Sequence, residues 1–195
     1  MTGISTADAR WRTIDIVVSA VIGVAFGVVF WFWGAYVWGW SGPLFEAFKP
    51  AQYVISGVWL MPAVIAPLIV RKPGAALFAE IVAATTSALI GTQWGLDVLL
   101  SGFVQGAGAE LVFAFGLYRS WGPPTAVLAG VGASIGEALH DLPIYFPADQ
   151  FGLDFQAALV LAMVVSGTVI AGLGGWYLVR ALRRAGVLES FPTGT

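Results

Sequence analysis

The sequence predicts an all-α integral membrane protein built as a bundle of six transmembrane helices. Composition is the first reason: 58% of the 195 residues are hydrophobic and only 10% are charged, against about 45–50% apolar and about 25% charged in soluble domains. The second is that the apolar residues gather in six runs, each near the roughly 20 residues that cross a bilayer. The third is the sidedness of arginine and lysine, which places both termini in the cytoplasm. Residues 1–195 read as a single transmembrane domain.

The first run, Ile14–Trp38, is too long for the apolar core of a signal peptide and lacks a small-residue cleavage site before a soluble domain. Gly39 to Pro50, with Gly, Pro, Glu and Lys, reads as the break that follows it. The second run, Tyr53–Val70, contains Pro62 and Pro67, which are expected to kink it. Arg71-Lys72-Pro73-Gly74 then makes a tight turn into the third run, Ala75–Thr92, and the fourth covers Val98–Tyr118. Trp121-Gly122-Pro123-Pro124 opens the fifth, Thr125–Leu139, because proline is tolerated in a first helical turn. This run is short, so it either tilts or extends past His140. The sixth covers Phe155–Val179.

With cytoplasmic termini the inner side collects Arg10, Arg12, Arg71, Lys72, Arg119, Arg180, Arg183 and Arg184, and only Lys49 falls outside. Outer loops carry Glu46, Asp97, Asp149 and Asp154, a balance that draws cations to the entrance. Trp31, Trp33, Tyr36, Trp38 and Trp40 form an outer aromatic belt, with Trp176 and Tyr177 at the inner one.

Several function classes find no support. With no cysteine and one histidine the usual zinc sites are out of reach, and HExxH, GxSxG and P-loop motifs are missing. No cofactor or metal is expected, and nine basic residues without a basic face give nucleic-acid binding no footing. Membrane lipid is the unavoidable neighbour.

Chemistry then rests on carboxylates placed where they are costly. Glu80, Glu110 and Glu137 each lie inside an apolar run, and a charge at mid-bilayer costs roughly 2.5–3.5 kcal/mol even on the mildest scale. Such residues face a bundle interior, a cavity or a partner. Ala76, Glu80, Ala84 and Ser87 share one helical face, as do Gly102, Gly106 and Glu110 beside Gln105. Ser134, Glu137 and Asp141 stack near the outer surface, next to His140. An outward-facing pocket is therefore expected to draw on Trp59, Trp94, Glu137, His140 and Asp141, with Gln105 and Glu110 as its floor. Glu80, nearer the inner surface, serves the pocket, helix packing or coupling. The stripe Ser19, Gly23 and Gly27, continuing from Asp15, lets backbones approach, either within the chain or against another membrane subunit.

The run Arg71-Lys72-Pro73-Gly74-Ala75-Ala76-Leu77 with Glu80, then Val104-Gln105-Gly106-Ala107-Gly108-Ala109-Glu110, Leu128-Ala129-Gly130 and Asp141, resembles the YkoE-type substrate-binding (S) components of energy-coupling factor (ECF) transporters. The likeness covers roughly Gly57 to Asp141. It implies a six-helix S component in a prokaryotic cell membrane that captures thiamine or its hydroxymethylpyrimidine precursor. It also implies a transmembrane coupling subunit and cytosolic ATPases as partners, docked through small-residue faces such as Ser19, Gly23 and Gly27. Trp59, Glu80, Gln105, Glu110 and Asp141 fall in the matched segments, whereas Glu137 and His140 rest on spacing alone. A stand-alone proton-coupled carrier using Glu80 and Glu110 is the competing reading, against which the lack of an inverted repeat counts. A membrane-embedded enzyme is the third.

Overall fold

The computed structural model describes residues 10–189 and 191, and every regular element among them is helical. Helix α1 spans Thr13–Phe32 and passes into a π-helical stretch, Trp33–Trp38, and one further α-turn, Gly39–Ser41. A 3-10 helix, Gly42–Leu60, leads into α2, Met61–Val70. Helices α3 (Ala75–Ile90), α4 (Asp97–Phe115) and α5 (Pro123–Tyr145) follow. After a single turn at Ala148–Phe151 comes α6, Leu153–Arg184, which is π-helical over Gly167–Gly174. Three stretches, Thr13–Val70, Asp97–Phe115 and Leu153–Arg184, are long and apolar enough to cross a membrane, and Ala75–Ile90 is apolar but shorter.

The expected break between the first two runs is mostly helical. Thr13–Val70 forms a 58-residue helical run, interrupted at Phe48, whose φ of −149° and ψ of 82° lie outside the helical region. Pro62 does not kink a helix here. It occupies the first turn of α2, where its missing N–H has no partner to lose, and the change from 3-10 to α winding falls at Leu60 (φ −103°, ψ −6°).

Nine of the ten residues of α2 are buried, and it packs against α1, α3, α4, α5 and α6. A helix that is apolar on all sides belongs at the centre of a bundle, and α2 holds that place. The turn after it follows the sequence closely. Arg71 closes α2 in the left-handed region at φ 53°, and Gly74 starts α3 at φ 86°, a conformation that favours glycine. The Trp11 indole donates to Pro73 O at 2.9 Å and the Arg183 guanidinium to Leu68 O at 2.8 Å, so both flanking ends of the chain hold this turn.

The small-residue stripe of α1 is consumed within the chain. Asp15, Ser19, Gly23 and Gly27 are buried, and a Cβ at Gly23 or Gly27 would lie 2.8 Å from Ala79 O or 2.7 Å from Ala83 O of α3. The expectation that Ser19, Gly23 and Gly27 form a docking face is thus corrected: they are the α1–α3 seam. The face of α1 left exposed carries Val17, Val21, Val24 and Val28. Helix α5 extends past His140, the longer of the two alternatives, and is gripped on two sides. A Cβ at Gly132 would sit 2.4 Å from Gly108 O of α4, and one at Gly130 would sit 2.2 Å from Gly167 O of α6.

Candidate functional site

The local winding of the chain before α2 builds one wall of a cavity. In a 3-10 helix, residues three apart eclipse one another, so Tyr53, Ser56 and Trp59 fall in one row. The Ser166 hydroxyl of α6 accepts from Gly57 N–H at 2.7 Å and donates to Val54 O at 2.8 Å. It bridges the two groups that an i→i−3 bond would join, and thereby ties this wall to α6. Opposite stand the α3 face with Glu80, Ala84 and Ser87, the start of α4 with Gly102 and Gln105, and the end of α5.

The cavity volume is about 230 Å³. It runs inward from Thr92, Asp97 and Tyr145, at helix ends remote from the Arg71–Gly74 turn, to Glu80 and Gln105. Of the residues expected to bind a solute, Trp59, Glu80, Trp94, Gln105, Glu137, His140 and Asp141 all line it. Phe30, Trp38, Lys49, Tyr53, Asp97, Tyr145 and Phe146 line it too, and these were not singled out from the sequence. By sequence alone Trp38 falls in the outer aromatic belt, and Asp97 and Lys49 fall outside the apolar runs.

Aromatic rings form one side of the cavity. The Trp59 ring lies edge-on to Trp38 at 5.1 Å and to Trp94 at 5.4 Å, and Trp38 meets Tyr53 at 5.0 Å. Trp59 Nε1 donates to Phe30 O at 3.4 Å. Trp94 fits because Gly34 lacks a side chain: a Cβ there would come within 2.6 Å of the indole ring.

Carboxylates form the other side, each held by named donors. Ser56 donates to Glu137 Oε2 at 3.2 Å, and Tyr53 to Asp141 Oδ2 at 3.2 Å. The buried His140 ring meets Asp141 through Nδ1 at 2.8 Å and Asp97 through Nε2 at 3.2 Å. An imidazole flanked by two carboxylates matches both when each nitrogen donates, the imidazolium arrangement. The Tyr145 hydroxyl donates to Asp97 as well. Glu80 is fully buried, and its Oε2 accepts from Ala63 N–H at 3.0 Å. That N–H belongs to the first turn of α2, one of the donors a helix start leaves unpaired. Carboxyl groups outnumber His140 and Lys49 in the lining by four to two, which suits a donor-rich solute.

Glu110 departs from expectation. It does not line the cavity. Its oxygens accept from Gly74 N–H at 2.6 Å, Ala76 N–H at 3.0 Å and the Tyr118 hydroxyl at 2.7 Å. It caps the start of α3 from across the α3–α4 seam, where a carboxylate also meets the positive end of the helix dipole. Burial, then the bond to Glu110, push the Tyr118 phenol up from its ordinary range, so it stays a donor. Glu80 and Glu110 have separate partners and share no hydrogen bond. Glu110→Ala is expected to destabilise the protein by about 2–3 kcal/mol, as two helix-start donors and a phenol lose a charged acceptor. Ligand affinity should change less than about threefold, since no cavity contact is lost. Thermal midpoints in detergent beside binding isotherms check this. A large affinity loss at an unchanged midpoint would return Glu110 to the ligand site.

Among the described residues no group of three or more His, Cys, Asp and Glu side chains is arranged to hold a metal ion.

Residues 14–136 match the family model described as "ABC-type cobalt transport system, permease component". A Bacillus subtilis (strain 168) protein named as an HMP/thiamine permease, YkoE, is 35% identical over 187 residues, which are 94% of this chain and 90% of that protein. A solved structure titled "Crystal structure of an S-component of ECF transporter" superposes with a TM-score of 0.84 at 32% identity, covering 93% of this chain and 90% of that one. The relatives are transport proteins, not enzymes. An all-helical chain whose sequence and fold both match over nine-tenths of their length leaves one assignment: this protein belongs to the YkoE-type S components of ECF transporters.

Proposed function

We propose that the protein captures thiamine or its hydroxymethylpyrimidine precursor and hands it to ATP-driven import through a transmembrane coupling subunit and cytosolic ATPases. The observation that carries this reading is the cavity's division into an aromatic side, Trp38, Trp59 and Trp94, and a carboxylate side, Glu80, Glu137 and Asp141. A flat aminopyrimidine needs ring faces to stack on and acceptors for its N–H groups. The thiazolium of thiamine adds a cation that aromatic faces attract by about 0.5–2 kcal/mol. The volume of about 230 Å³ is below the roughly 300–1,000 Å³ of pockets for drug-sized ligands, which suits a solute of one or two small rings. The printed name of the Bacillus relative points to the same compounds.

The proposal includes six crossings of a prokaryotic cell membrane with both termini cytoplasmic. Eight of nine basic residues on one side support that orientation, and it turns the cavity outward, where Glu46, Asp149 and Asp154 also lie. Coupling and ATPase subunits are part of the reading because the chain contains no P-loop of its own.

Titration calorimetry on purified, ligand-stripped protein without ATP tests the substrate. Saturable one-site heat is expected for hydroxymethylpyrimidine or thiamine. Cobalt(II), the cargo in the family model's description, serves as the contrasting arm. Heat from cobalt(II) alone would sink the pyrimidine reading.

A further inference from the structure

The row of Tyr53, Ser56 and Trp59 exists only while its segment keeps 3-10 winding. That winding has the poorer hydrogen-bond geometry and rarely runs beyond a few residues, yet here it continues to the start of α2 at Leu60. In α winding the six steps from Tyr53 to Trp59 would fall about 120° out of row. The two side chains, which both line the cavity, would then no longer share a wall.

Ser166 is placed to hold the tighter turn. Its hydroxyl stands between Gly57 N–H, 2.7 Å away, and Val54 O, 2.8 Å away, within the stretch that separates Tyr53 from Trp59. A side chain inserted into a helical ladder redirects it. With both groups satisfied, neither gains by turning to the partner four residues away that α winding supplies. Gly57 makes the approach possible, since a Cβ there would lie 2.5 Å from Ser166 O and 3.0 Å from Ile170 Cβ. Helix α5 fixes Ser166 from the other side, where Ser134 donates to Met163 O at 2.9 Å and Gly130 abuts Gly167. The hydroxyl is a fixed template, and the wall conforms to it.

We propose that Ser166 is a positioning residue for the ligand. Buried and outside the cavity lining, it sets the winding that brings Trp59 into row with Tyr53. This rests on the pyrimidine reading above and deepens it, because it names what preorganises the aromatic side of that site. Without the hydroxyl, Gly57 N–H and Val54 O are released and the turn relaxes toward α winding. Trp59 then leaves its edge-on contacts with Trp38 and Trp94, and binding must first restore the row.

The test uses full-length protein in detergent. Hydroxymethylpyrimidine is the calorimetric probe, and near-ultraviolet circular dichroism of the ligand-free protein reports on the tryptophan cluster. Ser166→Ala is expected to weaken binding by at least about tenfold, the cost of ordering one side chain on association. It should also change the tryptophan spectrum before any ligand is added. Ser166→Thr and Ser166→Val are matched in shape and differ in the hydroxyl, so Ser166→Thr should bind at least about tenfold more tightly than Ser166→Val. That pair decides if Ser166→Ala does not fold. An unchanged spectrum in Ser166→Ala, or an unchanged affinity beside a lower thermal midpoint, would overturn the proposal and leave Ser166 a packing residue. Equal losses in Ser166→Thr and Ser166→Val would overturn it as well. No binding of the probe by wild type would refute the pyrimidine reading instead, and the ligand-free spectra would then decide the role of Ser166 on their own.

Discussion

Truncating Trp59 to alanine is expected to lower affinity for a pyrimidine ligand by about 2–3 kcal/mol, or roughly 30- to 150-fold, while the protein stays folded. Trp59 stands between Trp38 and Trp94, with ring centroids 5.1 and 5.4 Å away. Its removal therefore takes away one stacking face and also the support that fixes the other two. Trp59 is only partly buried and lines the cavity, so less packing is lost than in a core truncation. Trp59→Phe should recover much of the loss, because a ring face returns without the indole N–H that donates to Phe30 O. Calorimetry on the three proteins measures the effect. Affinity in Trp59→Ala within threefold of wild type would show that the aromatic side of the cavity does not hold the ligand.

The largest effect on stability is expected at Gly130. A Cβ there would lie 2.2 Å from Gly167 O and 2.9 Å from Gly167 C, so the obstruction is backbone rather than a side chain that can turn aside. Overpacking costs about 1–3 kcal/mol where neighbours can yield. Here the α5–α6 seam must part, and Gly130→Val should lose more than about 3 kcal/mol and fail to yield monodisperse protein in detergent. Gly39→Ala is the matched control, since its backbone is helical at φ −60° and the nearest atom to a new Cβ is 4.0 Å away. A monodisperse Gly130→Val with an unchanged thermal midpoint would refute this account of the seam.

These two positions also mark what a sequence reading can reach. Glycine at 130 and 167 signals close packing, but which helix each meets depends on the fold. The stripe of α1 illustrates the point: spacing defines a small-residue face at Ser19, Gly23 and Gly27, and the same face serves a foreign subunit or α3 equally well. Burial of all three decides for α3. Helix α5 shows the converse. It is not apolar enough to stand among the stretches able to cross a membrane, because two of its faces meet α4 and α6 through small and polar residues, and only the face with Leu128, Ile135 and Leu139 is left exposed.

The carboxylates divide for a similar reason. Periodicity places Glu80 and Glu110 on small-residue faces of neighbouring helices, and counting from the charged turns puts both in the inner half of the membrane. Which one reaches the cavity depends on the rotation of α3 and α4 about their axes, set by packing contacts distant in sequence. Glu110 turns to the start of α3 and Glu80 to the start of α2. Tyr53 and Ser56 line up with Trp59 because their segment is wound as a 3-10 helix, where every third residue eclipses, and that winding is set by contacts distant in sequence.

The sequence by itself determined that this is a helical membrane protein, where its principal turns fall, and which family it joins. Those properties follow from local hydrophobicity, from Pro and Gly geometry, and from motifs readable along the chain. Only the tertiary structure decided that Glu80 rather than Glu110 faces the cavity, that the α1 stripe is an internal seam, and that Tyr53, Ser56 and Trp59 form one wall. A side chain's partner across a bundle is fixed by helix rotation and winding, and these are settled by the sum of many long-range contacts rather than by any segment alone.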